Sequence, residues 1–490
     1  MSLKKELTIE EQLIIFKNGT TAVVLDKPCV LGDGIQNQNR ILNEDNLIEY
    51  KNLITNKECV KFVPASGAAT RMFKDLVILK NTVKYPSIDY LETSDLSSRD
   101  DLLYLFNNLK HLPFYKKVKK KLGSDVKLKK LDKTTDLSEI IDVILGEDQL
   151  DYLNKPKALI PFHNYFGVTR TPIYEHIQES KEYLLNNGKL SVHFTVSSNH
   201  MKKIQKKLKK ISKNEVFAIN WSLSNQDSRT DTIAVDKDNN PVLDDYGKIL
   251  TRPGGHGALI FNLNELEYDV AHIKNIDNVI TVPNNRNSNK FKQFMLGYFY
   301  SIQKQLFNFA QRLDNDKEDK SLTKEIARFY QDEFFLKIDK NEDLKKLLNR
   351  PLRVCAMVRN EDQPGGGPFF VNDNGNITTQ IVEAAQIDFS IGKNESYFNK
   401  STHFNPVDMI CGLTDYKGDK YNLLDFVNSN SYFITNKTHD GQEIKALELP
   451  GLWNGGMYDW NTIFIEMPEE YFNPVKTVFD LLDRRRIIKK

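Results

Sequence analysis

A three-layer α/β core is the fold class this sequence predicts, on two observations. From Pro156 onward, short β-branched and aromatic runs alternate with charged helical stretches. Residues 191–196 and 216–223 read as strands, 199–210 as a basic helix, and 268–270 and 278–282 as further strands before a helix around 291–313. Second, residues 59–64 (Cys-Val-Lys-Phe-Val-Pro) form a strand-like run that stops in small residues and resumes with a helical pattern at Met72. Strand, tight loop and helix is the geometry that lets backbone amides approach an oligophosphate.

In chain order, Leu13, Ile14 and Phe16 recur at helical spacing within residues 6–16, and Gly19 offers a stop. Residues 87–150 are charged and helical, including 101–109 and 115–122, and read as an inserted helical lobe. A new section is expected near Pro351, where residues 352–358 form a buried-strand run ahead of the loop Pro-Gly-Gly-Gly-Pro at 364–368. The last hundred residues mix short strands with turns and end in a basic helix. The expected division is an N-terminal helical extension (1–55), an α/β core (56–350) and a C-terminal α+β region (351–490).

Composition removes several function classes. The 490 residues carry 68 Lys plus Arg against 66 Asp plus Glu, so no global field draws nucleic acid or an anionic membrane. No basic leader with an apolar run occurs, nor any stretch of about 20 apolar residues, and the protein is expected to be soluble and cytoplasmic. Cys29, Cys59, Cys355 and Cys411 are far apart, without metal-ligand spacing, and read as free structural thiols.

Chemistry concentrates in four segments. In the loop after the first strand, Ser66, Gly67, Ala68, Ala69 and Thr70 would bring amides to phosphates and Arg71 a guanidinium, although no Walker-type Gly-Lys-Ser/Thr follows. Lys157, in the strand-like segment Lys-Pro-Lys-Ala-Leu-Ile-Pro-Phe-His at 155–163, would add an ammonium. Gly254, Gly255, His256 and Gly257 make a turn whose missing side chains would let a planar base or phosphate come close. Asp277, in a short polar break before a strand, occupies the usual place of a hard-cation ligand at a sheet's C-terminal edge, and Mg²⁺ needs only one or two carboxylates when substrate phosphates complete its shell. His163 and the 362–368 loop are further functional candidates. His193 reads as a hydrogen-bonded strand residue, and the lysines of 202–210 as a solvated helix face.

Together these segments resemble the sugar-1-phosphate nucleotidyltransferases, the pyrophosphorylases with a glycosyltransferase-A-like core. Residues 65–72 are similar to that family's Ala-Gly-Gly-x-Gly-Thr-Arg-Leu/Met signature. Residues 156–161 are similar to its Pro-Lys-x-Leu-(Leu/Ile)-Pro segment, and 171–173 to the Thr-Pro-Ile that follows. Residues 254–257 resemble the Pro-Gly-His-Gly loop of the UDP-sugar branch, and 275–278 its Asn-x-Asp-Asn metal strand; all occur in the family's order. The strings at 230–235 and 254–259 also make the whole chain resemble a Bacteroidetes family of unknown function.

The first resemblance implies a three-layer α/β/α nucleotidyltransferase core with a mixed sheet, and attack by a sugar-1-phosphate on a nucleoside triphosphate, UTP by preference, with Mg²⁺. Arg71 and Lys157 would be the catalytic cations, Asp277 the metal ligand, and Gln226 a base-edge partner beside Gly255, His256 and Gly257. A distant likeness at 405–412 to the family's Ala-Asp-x-Lys-Gly-Gly block makes Asp408 a second metal or sugar ligand. The chain departs from the pattern at Ser66 and Ala69, which replace glycines, at Ile410, which replaces the block's lysine, and in the insertion separating Arg71 from Lys157. The alternatives are a glycosyltransferase, which shares the core but usually presents Asp-x-Asp, and a catalytically silent nucleotide-sugar binding protein.

Overall fold

The computed structural model of the protein describes residues 7–67, 69–123, 128, 131–226, 230–315, 320–361, 365–373, 375–439 and 442–486. At its centre is a ten-stranded sheet. Its strands are β1 (Val30–Leu31), β2 (Gly34–Gln36), β3 (Cys59–Pro64), β4 (Lys189–Thr195), β5 (Ala218–Ser224), β6 (Val270–Lys274), β7 (Leu352–Arg359), β8 (His403–Phe404), β9 (Asp408–Gly412) and β10 (Asn461–Glu466). They lie in the order β1-β2-β10-β7-β9-β6-β3-β4-β5, with β8 beside β7. β9 runs antiparallel to β6 and β7, and β8 antiparallel to β7; the remaining pairings are parallel.

From β3 the chain builds β4 and β5 to one side, then crosses back to lay β6 on the other. The strand order thus reverses between β3 and β6. Loops leaving the C-terminal ends of two such strands diverge, and the crevice between them is where open α/β sheets bind ligands.

Alternation along the strands builds the layers. Cys59 and Val63 of β3 join a core roofed by helices Pro172–Leu184, Met201–Asn214, Asn285–Asn315 and Lys320–Phe334, whereas Val60 and Phe62 face a second core with helix Leu259–Asn264 and the hairpin residues Phe370 and Ile381. Burial on both faces explains why β7 reads as a continuous apolar run.

The inserted helices Lys74–Thr82, Ile88–Thr93, Arg99–Asn107, Tyr115–Leu122 and Ser138–Leu145 enclose a third core. That core also takes in Ala69, Met72 and Phe73 from the loop after β3, Val279 from the segment after β6, and Val475 and Val478 near the C-terminus. The insertion is therefore the packing that fixes the segments around the crevice. At residue 351 the chain passes from helix Leu344–Leu348 straight into β7 of the same sheet.

The first helix, Ile9–Asn18, is capped by Thr8 and Glu11 in a reciprocal box and ends at Gly19 with φ 78°. Three expectations are corrected. Residues 278–282 are not a strand: Asn278 bridges to Pro474 and Val279 is drawn into the core of the insertion. Between Pro156 and Pro161 the chain makes the 3-10 turn Lys157–Leu159, and only His163–Tyr165 is strand, because the two prolines withhold ladder donors. The C-terminal basic helix is replaced by two 3-10 turns, Phe479–Leu482 and Arg484–Arg486. All four cysteines are buried and free, and no helix among the described residues is long and apolar enough to cross a membrane.

Candidate active site

The loop after β3 is anchored at both ends. Ala65 donates its amide to the Thr195 carbonyl at 2.8 Å, and Ala69 donates its own to Lys155 at 3.1 Å. The Ala69 amide is thus spent on holding the loop rather than left for a phosphate. Between these anchors Ser66 is half-buried and Gly67 exposed, and Ala68 lies outside the described residues. The amides of Ser66, Gly67, Thr70 and Arg71 meet no acceptor among the described residues, and the exposed Arg71 forms no ion pair with them. A Cβ on Gly67 would meet nothing within 4 Å, so the space in front of it is open.

Across the crevice, Asp277 sits in the turn that leaves β6. Its backbone is pinned by the C-terminal segment: Val475 donates to the Asp277 carbonyl at 3.0 Å, and Asn473 to Asn278 Oδ1 at 3.1 Å. Lys157 Nζ donates to Asp277 Oδ2 at 3.0 Å and to the Val475 carbonyl at 2.9 Å. Lys476 Nζ reaches the same Oδ2 at 3.2 Å. Burial pushes the Asp277 pKa up, but Lys476 and Lys157 outweigh it and hold the carboxyl below the usual carboxylate range. The other oxygen, Oδ1, is buried without a hydrogen-bond partner. An ionised carboxylate with one orphaned oxygen suits a hard cation. Among the described residues no three His, Cys, Asp or Glu side chains converge on a metal position, so such an ion would take most of its ligands from substrate and water.

Lys476 was missed in the sequence, where it stands alone ahead of the basic C-terminal end. The fold delivers it by a local device: Asp480 Oδ2 accepts the amides of Lys476 at 2.7 Å and Thr477 at 2.6 Å, and Val478 donates to Met72 at 2.9 Å. The available signal was a lysine following Asn-Pro-Val ahead of an Asp positioned to cap a turn.

The Gly254–Gly257 loop reaches the same edge of the sheet through Gln226, just beyond β5, whose Nε2 donates to the Gly255 carbonyl at 2.8 Å. These glycines are required by the protein itself. A Cβ on Gly254 would lie 2.3 Å from the Thr230 carbonyl, on Gly255 (φ 71°) 1.9 Å from Glu448, and on Gly257 2.6 Å from Leu449. His256 is the group the turn presents. It stacks on Trp453 at 4.2 Å, accepts the Leu452 amide on Nδ1 at 3.2 Å, and so carries its proton on Nε2, 3.4 Å from Glu383. Trp453 and Glu383 had not been singled out in the sequence.

Asp408 is placed elsewhere. It lies opposite Lys274 in the β6–β9 ladder, is 1% exposed, and takes a 2.6 Å hydrogen bond from His272 Nε2. Burial opposes its ionisation, yet His272, Lys292 and Lys274 hold it well below the usual carboxylate range. Its partners are these buried groups beneath the helical layer rather than the lysines at Asp277. His163 is also structural, bonded to Glu175 at 2.8 Å and accepting from Arg486 at 2.9 Å. His193 bonds Ser222 and Ser224, each at 2.8 Å, as expected of a strand histidine. Residues 362–364 lie outside the described residues, and Gly366 and Gly367 are closed off by Ile381 and Phe369.

A family model described as "Domain of unknown function (DUF4301)" matches residues 2–486. The chain belongs to that family. Comparison with curated proteins gives no match. Among solved structures, the chain is similar to a mutant UDP-glucose pyrophosphorylase from Leishmania major in complex with UDP-glucose, with 14% identity over 96% of this chain and 73% of that one and a TM-score of 0.45. It is also similar to the uridine diphosphate N-acetylglucosamine pyrophosphorylase from Trypanosoma brucei in complex with an inhibitor, with 12% identity, coverage of 97% and 74%, and a TM-score of 0.48. Likenesses at this level carry no weight in assigning an activity.

Proposed function

We propose that this family member is a nucleotidyltransferase that joins a nucleoside triphosphate to a sugar-1-phosphate, releasing pyrophosphate. The observation that carries the reading is the crevice between β3 and β6. At that edge of the sheet stand an open loop, whose amides and Arg71 guanidinium are unpaired among the described residues, and an ionised carboxylate flanked by two ammonium groups.

A sugar-phosphate oxygen forms a bond to the α-phosphorus as the α–β bridging bond breaks, and the electron pair leaves with pyrophosphate. Little proton transfer is needed; the difficulty is bringing anions together in line. The amides of Ser66, Gly67 and Thr70 and the Arg71 guanidinium would hold the β- and γ-phosphates. Lys157, 13% exposed and fixed by Val475, is the static cation at the α-phosphate. Lys476, 58% exposed, has the freedom to follow charge onto the leaving group. Asp277 Oδ1 is the oxygen that would hold Mg²⁺, whose chemistry there is to neutralise phosphate charge. Gln226 and His256 border the place for the base. Asp408 is assigned to the scaffold.

Mg²⁺-dependent exchange of labelled pyrophosphate into nucleoside triphosphate, run over a panel of nucleotide sugars, tests the reading. Exchange with one nucleotide sugar supports it and names the substrate. Nucleotide binding without exchange would replace it with the binding-protein reading, and transfer of sugar from a nucleotide sugar with the glycosyltransferase reading.

A further inference from the structure

We infer that Arg486, in the 3-10 turn Arg484–Arg486, is a positioning residue that holds Lys157, Asp277 and Lys476 in register. This role rests on the reading of those three side chains as the phosphate site. Arg486 shares a hydrogen bond with none of them and acts through the backbone and side chains around them.

Arg486 is 3% exposed, and its guanidinium meets one acceptor from each of the three segments that carry the site. Nη1 donates to His163 Nε2 at 2.9 Å and to the Val279 carbonyl at 3.1 Å, and Nη2 donates to the Asn473 carbonyl. His163 closes the segment of Lys157, Val279 follows Asp277, and Asn473 precedes Lys476. Residues 277–279 and 473–475 lie side by side, joined by the Val475 amide on the Asp277 carbonyl at 3.0 Å and by the bridge between Asn278 and Pro474. Arg486 clasps the other end of this pairing. The Val279 and Asn473 carbonyls are both acceptors and cannot bond each other, so a donor must span them.

Burying a guanidinium is costly unless it is hydrogen-bonded and neutralised. The counter-charge comes through His163. With Nε2 accepting from Arg486, the ring carries its proton on Nδ1 and donates it to Glu175 Oε1 at 2.8 Å. Asp480 and Asp483 add attraction through space, but Asp480 is committed to the amides of Lys476 and Thr477, and Asp483 to Arg485 at 2.6 Å. Burial brings the Arg486 pKa down to about 10, which leaves it charged at neutral pH. A rigid planar fork reaches three acceptors at once, whereas the point charge of a lysine does not reproduce that span.

Competitive acetylation of the full chain with acetic anhydride, read by mass spectrometry, tests the role without requiring turnover. Lys157 and Lys476, held on Asp277, should react more slowly in wild type than the exposed Lys206. Arg486→Gln should raise both rates by about fivefold or more relative to Lys206, since losing charged hydrogen bonds opens the pairing locally. Arg485→Gln, the same change of charge in the same turn, should leave both as in wild type. In pyrophosphate exchange, Arg486→Gln should lower kcat by about tenfold or more with little change in the KM for triphosphate, because the loop after β3 is untouched. Arg486→Lys, gentler on folding, should shift both readouts in the same direction and serves should Arg486→Gln fail to fold. Acetylation of Lys157 and Lys476 at wild-type rates in a folded Arg486 variant, or an equal rise in Arg485→Gln, would overturn the role. So would loss of folding in both Arg486 variants, which would make Arg486 a support of the whole fold. Wild type that shows the expected acetylation pattern but no exchange would remove the proposed reaction and leave the register standing.

Discussion

Glu179→Gln is the substitution that most sharply tests how this sheet tolerates charge in its interior. Glu179 is 3% exposed on helix Pro172–Leu184, and its Oε1 accepts hydrogen bonds from Lys274 at 2.6 Å and from Lys292. Its Oε2 lies 3.7 Å from Lys61 and 3.9 Å from His176. Burial alone would raise the Glu179 pKa, but the ammonium groups of Lys274, Lys292 and Lys61 hold it well below the usual carboxylate range. Glutamine keeps the shape and one hydrogen-bond acceptor while removing the charge, so the lysines are left with Asp408 as their remaining counter-charge. Breaking a buried ion pair by deleting one partner costs about 3–5 kcal/mol. Lys61 lessens the penalty, since burial already pushes its pKa down to about 7 and it can shed its proton. The expected loss is therefore about 3 kcal/mol, near the lower end of that range. Equilibrium urea denaturation at pH 7.5, followed by circular dichroism, measures it. Glu182→Gln is the control: Glu182 is on the same helix but 53% exposed and 3.8 Å from Lys181, where an exposed pair is worth about 0–1 kcal/mol. If Glu179→Gln costs no more than the control, the buried network is not the counter-ion system described here.

Other consequences can be checked independently. Lys476→Ala should lower the pyrophosphate-exchange rate by about 10²–10³, the usual loss on removing a preorganised charge-stabilising donor, with less than about 1 kcal/mol of stability lost because its side chain is 58% exposed. An unchanged rate would remove Lys476 from the site. Two glycines should respond in opposite ways. Gly67→Ala, placed in open space, should leave the unfolding free energy from urea titration unchanged or raised by up to about 1 kcal/mol while the KM for triphosphate increases; Gly255→Ala, at φ 71° and facing Glu448, should cost at least about 1 kcal/mol. The reverse ranking of stabilities would contradict the loop geometry. Burial lowers the pKa of His176 to about 3 and those of His193 and His272 to about 4. The unfolded chain therefore binds more protons below its own histidine value, and the stability these neutral rings contribute is full above about pH 6.5 and falls as pH drops toward 4. A urea midpoint that stays flat between pH 7 and 5 would refute this.

Much of the fold was legible because the strands are buried on both faces, which writes apolar runs such as Leu352–Val358 directly into the sequence. The loop after β3 was legible as a strand-to-helix turn, since a run of small residues there interrupts the apolar pattern between the two elements. What stayed hidden depends on partners far apart in the chain. Lys61, Lys274 and Asp408 look like ordinary strand charges until Glu179 and Lys292 are brought beneath them, and Asp408 then belongs to the scaffold. Lys476 is 199 residues from Asp277. The glycines of 254–257 show the opposite confusion, because a close approach to a ligand and one to Glu448 and Leu449 leave the same mark on a sequence.

The most direct test of the central claim is Mg²⁺-dependent pyrophosphate exchange measured side by side for wild type and Asp277→Asn, both with triphosphate binding followed by thermal shift. Wild type should exchange with one nucleotide sugar, and the variant, which keeps the shape of the side chain and the contacts of its backbone, should lose about 10² or more in rate. Exchange by the variant at the wild-type rate under limiting Mg²⁺, or none by wild type across the panel while triphosphate still binds, would contradict it.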